Sequence, residues 1–482
     1  MRTSHSEITS LHQILLFIIL STPWFQLGIT QELLIGFSAT PDSSISTFQP
    51  LLKDPTGNFS LVFLRVNQSQ LALAILHFLS SEPVWIAKTS TSVKWSKSTQ
   101  LIFDGRLTLS DRKAGVFWST HSNGGDRLLL LNNSNLQIQQ KSHIIWQSFD
   151  FPSDTLIGNQ NFTSTMSLVN GGFSMSLGDD FLGLYASFKP DSNQIYWKHT
   201  AMQAKAAIVK GKGSIYARIS SNGFLGMYQT EAAPVDVLPF DSFQRTITGI
   251  RRLKLESDGN LKGYFWNGSI WVNEFVAITN DCELPSSCGL YSLCEPGKSC
   301  SCLDDQKDYD LGECFSPESS NLCADTNGKR DDYWILRRKG VELPYKELMA
   351  FEQMGSLDDC ESSCERNCSC WGALFNNASG YCYKVDYLIN TLVSVGDESK
   401  LGYFKVPIVA EKKRLVSVAV GVVILVGAIS VFIGVVGYVS YRVWRRKRRG
   451  RLNSGFFENG LSPGSYRDLG SSSFGSVELS KS

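Results

Sequence analysis

Ile145-Trp-Gln-Ser-Phe-Asp-Phe-Pro-Ser-Asp-Thr-Leu156 is the most distinctive stretch of this 482-residue chain, and it closes a region that lacks helical periodicity. Within residues 31–160, short β-rich runs alternate with turns of Asn, Gly, Ser and Asp. A tryptophan that directly follows an apolar residue recurs three times, at Trp85, Trp118 and Trp146. The recurrence predicts three similar β units that each bury one indole on a shared axis. Three unrelated core tryptophans are the alternative interpretation.

The segments around these tryptophans resemble a known family. Residues 101–111, 116–120 and 133–138 follow the order seen in bulb-type mannose-binding lectin domains. The stretch 145–156 is similar to the one that closes this domain in plant S-locus glycoproteins and G-type lectin receptor kinases. The resemblance implies a β-prism of three four-stranded sheets for residues 31–160.

Residues 161–278 resemble the S-locus segment of the same family, which implies a second, more divergent β-prism. Tyr196-Trp197 and residues 213–218 and 251–261 carry this similarity. Independently of the resemblance, Asp258-Gly259 lies between two alternating runs, and such a dipeptide predicts a hairpin turn.

All 12 cysteines fall in one hundred-residue interval, and their number is even. In a secreted chain this pattern indicates a disulfide framework. Zinc is the alternative, because Cys300-Ser-Cys302 and Cys368-Ser-Cys370 could chelate a metal. The interval contains no histidine, however, and oxidising conditions consume the thiolates that zinc needs. We therefore predict disulfides at Cys282, Cys288, Cys294, Cys300, Cys302, Cys314, Cys323, Cys360, Cys364, Cys368, Cys370 and Cys382.

The cysteine spacing divides this interval into two modules. Residues 280–315 resemble the family's EGF-like module, but the usual Gly-Phe after Cys302 is replaced by Leu-Asp-Asp-Gln, so the resemblance does not fix the last bridge. A segment this short cannot bury an adequate core, and crosslinks must supply much of its stability. Residues 323–407 resemble an α+β PAN/apple module.

The stretch 359–370 is typical of PAN modules, and Ser356 with Asp359 predicts a capped helix start. The family pattern implies the pairs Cys360–Cys382 and Cys364–Cys370, which leaves Cys368 for Cys323. Spacing alone would not choose among the 15 connectivities that six cysteines allow.

The two ends of the chain indicate a membrane protein. Residues 1–30 contain an apolar run typical of a secretory signal peptide. Residues 415–441 are uncharged and long enough to span a bilayer as a helix, and the heavier basic cluster follows them. That asymmetry places residues 442–482 in the cytosol. We predict a single-pass type I protein of the plasma membrane with an extracellular amino terminus.

Glycosylation sequons agree with this topology, because all of them precede the predicted span. The acceptor residues are Asn58, Asn67, Asn132, Asn161, Asn267, Asn367 and Asn377.

No catalytic motif stands out, and we predict no enzyme activity and no cofactor. Residues 470–477 are similar to a kinase Gly-rich loop with Ser in place of the middle Gly, and a chance serine-glycine tail is the alternative. The sequence contains neither the lysine, the catalytic loop nor the metal-binding Asp-Phe-Gly of a kinase. The one basic run is explained by topology, so we predict no nucleic-acid partner.

Bulb-type lectins bind mannose through Gln-x-Asp-x-Asn-x-Val-x-Tyr, whose polar members alternate on one strand face. Residues 102–110 keep only Asp104 of this motif, and residues 131–139 keep only Asn135. The closest copy lies in the second prism, where Lys262 replaces Val. Its candidate sugar-binding residues are Glu256, Asp258, Asn260 and Tyr264. A hairpin with a half-buried tyrosine is the alternative interpretation.

Together these features predict a mainly β chain with two β-prisms, an EGF-like module, a PAN module and one transmembrane helix. The predicted function is non-catalytic recognition of an extracellular protein or glycan. Our hypothesis is a co-receptor or decoy for related receptor kinases. A membrane-anchored, mannose-type lectin is the alternative.

Overall fold

The computed structural model describes residues 32–190, 192–200, 215–229, 233–245, 249–306, 309, 314, 322–323, 332–408 and 413–451. The predicted signal peptide and most of the predicted cytoplasmic tail lie outside these residues. The chain divides into two compact units, one ending at Ile408 and one beginning at Val409. The first unit is mainly β, as predicted.

The first prism is built from strands β1–β13, whose described residues form three sheets. The sheets run in the orders β1-β11-β12-β13, β2-β8-β9-β10 and β3-β4-β5-β6, with β7 paired to β5. Alternate strand residues such as Leu136 and Ile138 point inward and are completely buried. The strands are β1 (Glu32–Leu34), β2 (Phe37–Ala39), β3 (Phe48–Lys53), β4 (Phe59–Arg65), β5 (Gln70–His77), β6 (Glu82–Ile86), β7 (Val93–Lys94), β8 (Thr99–Phe103), β9 (Leu107–Asp111), β10 (Gly115–Ser119), β11 (Arg127–Leu130), β12 (Leu136–Gln140) and β13 (His143–Gln147).

The second prism consists of strands β14–β25, which form three four-stranded sheets in the described residues. Their orders are β14-β23-β24-β25, β15-β20-β21-β22 and β16-β17-β18-β19. The strands are β14 (Thr155–Ile157), β15 (Phe162–Thr163), β16 (Ser167–Asn170), β17 (Phe173–Leu177), β18 (Phe181–Lys189), β19 (Ser192–Thr200), β20 (Tyr216–Ser220), β21 (Phe224–Tyr228), β22 (Asp236–Pro239), β23 (Arg251–Leu255), β24 (Leu261–Trp266) and β25 (Trp271–Val276).

The two prisms meet earlier in the chain than the sequence predicts. We expected the division at residue 160, but β14 pairs with β23, so residues 155–157 belong to the second prism. In both prisms the first strand completes the sheet that contains the last three strands. The difference arises because a three-residue apolar strand does not identify its distant partner.

The EGF-like and PAN segments of the cysteine-rich region pack together through a shared sheet. Strand β26, from the EGF-like segment, pairs in parallel with β33 of the PAN segment, so the two segments share one sheet. The region's strands and helix are β26 (Ser292–Cys294), β27 (Ser301–Cys302), β28 (Tyr333–Lys339), β29 (Val341–Glu342), β30 (Glu352–Gln353), α1 (Leu357–Glu365), β31 (Gly372–Asn376), β32 (Tyr381–Val385), β33 (Leu392–Ser394) and β34 (Lys400–Pro407). Short 3-10 helices lie at Ser148–Asp150, Asp281–Glu283 and Lys346–Leu348.

Helix α1 begins as predicted, because the Ser356 hydroxyl accepts a hydrogen bond from the Asp359 backbone N–H at 3.2 Å. The region also packs on the second prism. Phe188 of β18 stacks on Tyr387, with ring centroids 4.6 Å apart. The core is continuous across this contact, which compensates for the small core that the EGF-like segment could bury alone.

The unit that begins at Val409 contains one helix in its described residues, α2 (Lys413–Arg451). Its segment Leu425–Arg446 is 22 residues long and apolar enough to cross a bilayer. The segment overlaps the predicted span 415–441, and by its length and composition the helix fits a single-pass membrane protein.

An aromatic joint connects the two prisms. Arg252 of β23 lies over the Trp271 ring at 4.0 Å and is ion-paired with Glu82 of β6 at 2.5 Å. His77 of β5 is completely buried against Trp266 and Trp271, with ring centroids 4.7 and 5.2 Å away. The Arg252–Glu82 ion pair, the buried His77 and a hydrogen bond from Trp271 Nε1 to Ser80 Oγ at 3.0 Å thus all connect the two prisms.

We predict that acid weakens this joint. Burial, and secondarily the charge of Arg252, lower the pKa of His77, while Glu82 opposes the shift. The unfolded chain therefore binds the proton more tightly. The contribution of neutral His77 to stability is fully present above the ordinary pKa of 6.5 and is lost as pH falls below it. Thermal unfolding at pH 7 and pH 5 should show a smaller acid-induced loss for His77→Gln than for the wild type.

His143→Gln, at an exposed histidine of β13, is the matched control and should keep the wild-type pH dependence. Equal acid sensitivity of His77→Gln and the wild type would contradict the assignment.

Candidate functional site

The predicted sugar motif lies on the hairpin of β23 and β24. The Tyr264 hydroxyl donates to Glu256 Oε1 at 2.7 Å, and Lys254 Nζ lies 3.3 Å from Glu256 Oε2. Burial, and secondarily the hydrogen bond to Glu256, raise the pKa of Tyr264, so its hydroxyl remains a donor. The structure thus brings Glu256 and Tyr264 together, but each already uses the other as a partner.

Asn260 is directed into the protein rather than toward a ligand. Its side chain is 2% exposed; Nδ2 donates to the Ile278 carbonyl at 2.7 Å, and Oδ1 accepts from the Ile278 N–H at 3.1 Å. Asp258 Oδ1 accepts from the Asn260 backbone N–H at 2.8 Å and closes the turn. The two hydrogen bonds of Asn260 therefore connect the β23–β24 hairpin to the backbone that follows β25.

Asn135 occupies the same kind of position in the first prism. It is also buried; its Nδ2 donates to Gln147 Oε1 at 2.8 Å, and its Oδ1 accepts from the Phe149 N–H at 3.3 Å. Asp104, the other retained motif residue, is exposed and lies 3.7 Å from Arg106. In both prisms a motif asparagine thus connects a hairpin to the chain after the next strand.

We predict that Asn260→Ala destabilises the protein. The substitution leaves a buried N–H and a buried carbonyl of Ile278 without partners, which costs about 1–3 kcal/mol per unsatisfied group. Chemical denaturation measures the loss. Lys262→Ala is the matched control on the same hairpin, since Lys262 makes only a 3.9 Å contact with Asp258. Unchanged stability together with a loss of mannose binding would instead support a sugar-binding Asn260.

A second candidate site lies at the three tryptophans. Each of the three lies on the last strand of one sheet's antiparallel run: Trp85 on β6, Trp118 on β10 and Trp146 on β13. Their rings form a triangle with centroids 5.9–6.3 Å apart. The predicted shared axis is confirmed. Trp118 is only half-buried, however, whereas Trp85 and Trp146 are 6% and 8% exposed.

The stretch that closes the first prism covers this triangle. The Phe151 carbonyl accepts a hydrogen bond from Trp85 Nε1 at 2.7 Å, and the Phe151 ring stacks on Trp146 at 5.9 Å. Phe151 as a whole residue nevertheless remains 54% exposed. Phe151 therefore closes the axis with one face of its ring and presents the rest to solvent.

A cleft of about 560 Å³ opens beside Phe151 and Trp118. We call it the tryptophan cleft; strand β16 of the second prism contributes to its wall. Its lining residues are Trp85, Ile86, Lys88, Thr89, Ser90, Phe117, Trp118, Ser119, His121, Trp146, Asp150, Phe151, Pro152, Thr165, Met166 and Ser167. Sequence reasoning assigned the tryptophans to the core and missed the cleft. The sequence feature that could have indicated the cleft is a set of polar residues close behind two of the tryptophans: Lys88 after Trp85, and Ser119 and His121 after Trp118.

All twelve cysteines are described, and they form six disulfides. In the PAN segment the pairs are those that the resemblance implies, and Cys302 bonds to Cys314.

Among the sequons, Asn58 is half-buried and the other six asparagines are exposed. In the described part of the chain, no group of three or more His, Cys, Asp or Glu side chains is placed to hold a metal ion.

Comparisons with known proteins agree with this architecture. The family model for the D-mannose binding lectin matches residues 83–172, and the model for the S-locus glycoprotein domain matches residues 228–307. A PAN domain-containing protein of Arabidopsis thaliana is 49% identical over 96% of this chain and 96% of its own length.

More distant relatives come from the same plant. A G-type lectin S-receptor-like serine/threonine-protein kinase is 27% identical over 91% of this chain and 56% of its own length. EP1-like glycoprotein 4 is 24% identical over 74% of this chain and 86% of its own length. The chain thus spans about half the length of the receptor kinase.

Proposed function

The chain belongs to the family of PAN domain-containing plant proteins that carry bulb-lectin and S-locus glycoprotein domains, and we propose that it acts as a non-catalytic, receptor-like glycoprotein of the plasma membrane. In this proposal the unit ending at Ile408 faces the cell exterior and recognises a protein or glycan. Helix α2 crosses the membrane once, with its carboxyl-terminal end in the cytosol.

The observation that carries the proposal is the coupling of a crosslinked recognition unit to one apolar helix. The second prism and the cysteine-rich region share a continuous core, and all six disulfides lie in the same unit. Sequons and disulfides are features of secreted chains, and both stop before helix α2.

Signalling in this proposal is supplied by another protein. The similarity to a receptor kinase covers most of this chain, so the two proteins offer related surfaces for association. The chain would then work as a co-receptor or a decoy for such kinases. A mannose-type lectin acting through the Glu256–Tyr264 copy is less well supported, because Asn260 is buried and bonded to Ile278.

The proposal is tested with the full-length protein in native membranes. Proximity labelling on intact cells, followed by affinity purification, should recover receptor kinases. The matched control is a variant without residues 32–408 that keeps the helix and the tail. Equal recovery of the same proteins by both forms would overturn the proposed role. Protease treatment of intact cells checks the orientation, since it should remove the prisms.

A further inference from the structure

We propose that the tryptophan cleft is a binding site for a neutral oligosaccharide, distinct from the mannose motif on the β23–β24 hairpin. The inference rests on the proposed function, since it names the class of ligand that the recognition unit takes. Four observations carry it: the exposed rings, the unused polar groups, the charge balance and the position between the prisms.

Part of the aromatic surface that lines the cleft is left uncovered by the prism's own packing. Trp85 and Trp146 are buried on the axis, whereas Phe117 and Trp118 are half-buried and Phe151 is more than half exposed. Exposed rings in a concave site are typical of ligand pockets, and the volume lies within their range of roughly 300–1,000 Å³. The C–H face of a pyranose ring packs flat against such aromatic surfaces.

Polar groups around these rings are free to bind a ligand. Within the described residues, no hydrogen bond or ion pair uses Lys88 Nζ, Thr89 Oγ1, Ser119 Oγ, Trp118 Nε1 or the ring nitrogens of His121. Lys88 and Trp118 offer donors, and the two hydroxyls both donate and accept. Sugar hydroxyls also donate and accept, so they match this mixed set.

The charges of the cleft favour a neutral ligand. Lys88 is the wall's lysine, and Asp150 is its carboxylate, which already accepts from Gln147 Nε2 at 2.9 Å. An anionic ligand would meet Asp150, and a cationic ligand would meet Lys88. A neutral saccharide avoids both repulsions while it uses the free donors and acceptors.

The cleft is lined by residues of both prisms, so a ligand bound there would contact both of them. Thr165, Met166 and Ser167 belong to or directly precede the second prism's β16, whereas the aromatic rings belong to the first prism and its closing stretch. A bound oligosaccharide would contact both prisms. Binding should therefore raise the unfolding temperature of the whole unit.

The experiment titrates the full-length, detergent-solubilised protein with cellobiose, α-1,2-mannobiose and chitobiose. We expect at least one disaccharide to bind by calorimetry and to change tryptophan fluorescence. Trp118→Ala and Phe151→Ala should each weaken binding about tenfold or more, in line with the contribution of an aromatic contact. Phe151→Ala keeps the carbonyl that accepts from Trp85 and leaves all three tryptophans in place, so it still tests the site if Trp118→Ala fails to fold.

Two controls make the result specific. Trp334→Ala removes a tryptophan of β28, outside the cleft, and should leave both binding and the ligand-induced emission change intact. Tyr264→Phe tests the hairpin motif and should also bind normally. Loss of binding in Tyr264→Phe but not in Phe151→Ala would overturn the proposal, as would a lack of binding by every disaccharide at 10 mM. If kinases are still recovered from membranes in that case, the proposed function stands and the sugar site falls.

Discussion

Glu274→Ala should lower the free energy of unfolding by about 3–5 kcal/mol, the loss expected when one partner of a buried ion pair is removed. Glu274 of β25 is 2% exposed, and its Oε1 accepts from Arg251 Nε of β23 at 3.0 Å. Ser242 donates to the other carboxylate oxygen and accepts from Arg251 Nη2 at 3.1 Å. Without the carboxylate, the Arg251 guanidinium remains buried, and only its bonds to Ser242 and the Ser221 carbonyl are left.

Urea unfolding of the purified protein measures this loss. The double variant Arg251→Met with Glu274→Leu should recover most of it, because apolar side chains of similar size can replace a buried pair at little cost. Lys298→Ala removes a partner of the exposed Lys298–Glu295 pair and should change stability by less than about 1 kcal/mol. A loss in Glu274→Ala as small as that of Lys298→Ala would contradict the prediction.

Local features of this protein were predictable because their signals are local. The Asp258-Gly259 hairpin forms at the predicted position, where Gly259 has a positive φ of 85° that other residues rarely adopt. The capped start of α1 and the recurrent tryptophans were likewise visible, since each depends on residues close together or on a repeated pattern. The family resemblance supplied the prism architecture that periodicity alone could not.

Long-range pairings were not predictable in the same way. Leu293 of β26 pairs with Leu392 of β33, and no alternation within either strand identifies the other. Lys405 is a second example. A lysine in a strand suggests solvent exposure, but Lys405 is 1% exposed, and its Nζ donates to the Cys364 and Asn367 carbonyls at 3.0 and 3.1 Å. The lysine binds the end of α1, which only the assembled sheet brings within reach.

The candidate site was difficult for a related reason. The motif Glu256-x-Asp258-x-Asn260 predicts which residues alternate on a strand, but it does not show which groups remain free of internal partners. In the structure the Asn260 amide is used by Ile278. The tryptophan cleft differs in the opposite direction. The sequence assigned its tryptophans to the core, but Trp118 is partly exposed in the structure, close to where the second prism begins. Free hydrogen-bonding capacity is a property of the folded contacts.

Cys360→Ser should have the second large effect, a loss of about 3 kcal/mol for a bridge that closes a loop of this size. The Cys360–Cys382 disulfide, with a sequence separation of 22, connects α1 to β32, and both cysteines are fully buried. The remaining bond of that helix, Cys364–Cys370, closes a loop with a separation of only 6 and restrains the rest of the sheet little. The substitution also leaves the thiol of Cys382 without its partner, available for incorrect pairing during folding.

We therefore expect Cys360→Ser to remain in the endoplasmic reticulum, because chaperones hold chains with unpaired thiols and a destabilised core. Surface labelling of tagged protein in plant cells measures delivery, and thermal unfolding of the purified protein measures stability. Ser362→Ala, an exposed position on the same helix, is the matched control and should reach the surface normally. The double variant Cys360→Ala with Cys382→Ala separates the two causes: partial recovery of delivery implicates the free thiol, and continued retention implicates lost stability. Normal delivery of Cys360→Ser with an unchanged unfolding temperature would contradict the prediction and show that the other contacts of α1, among them the Lys405 hydrogen bonds and the Arg337–Glu361 ion pair, hold it to the sheet.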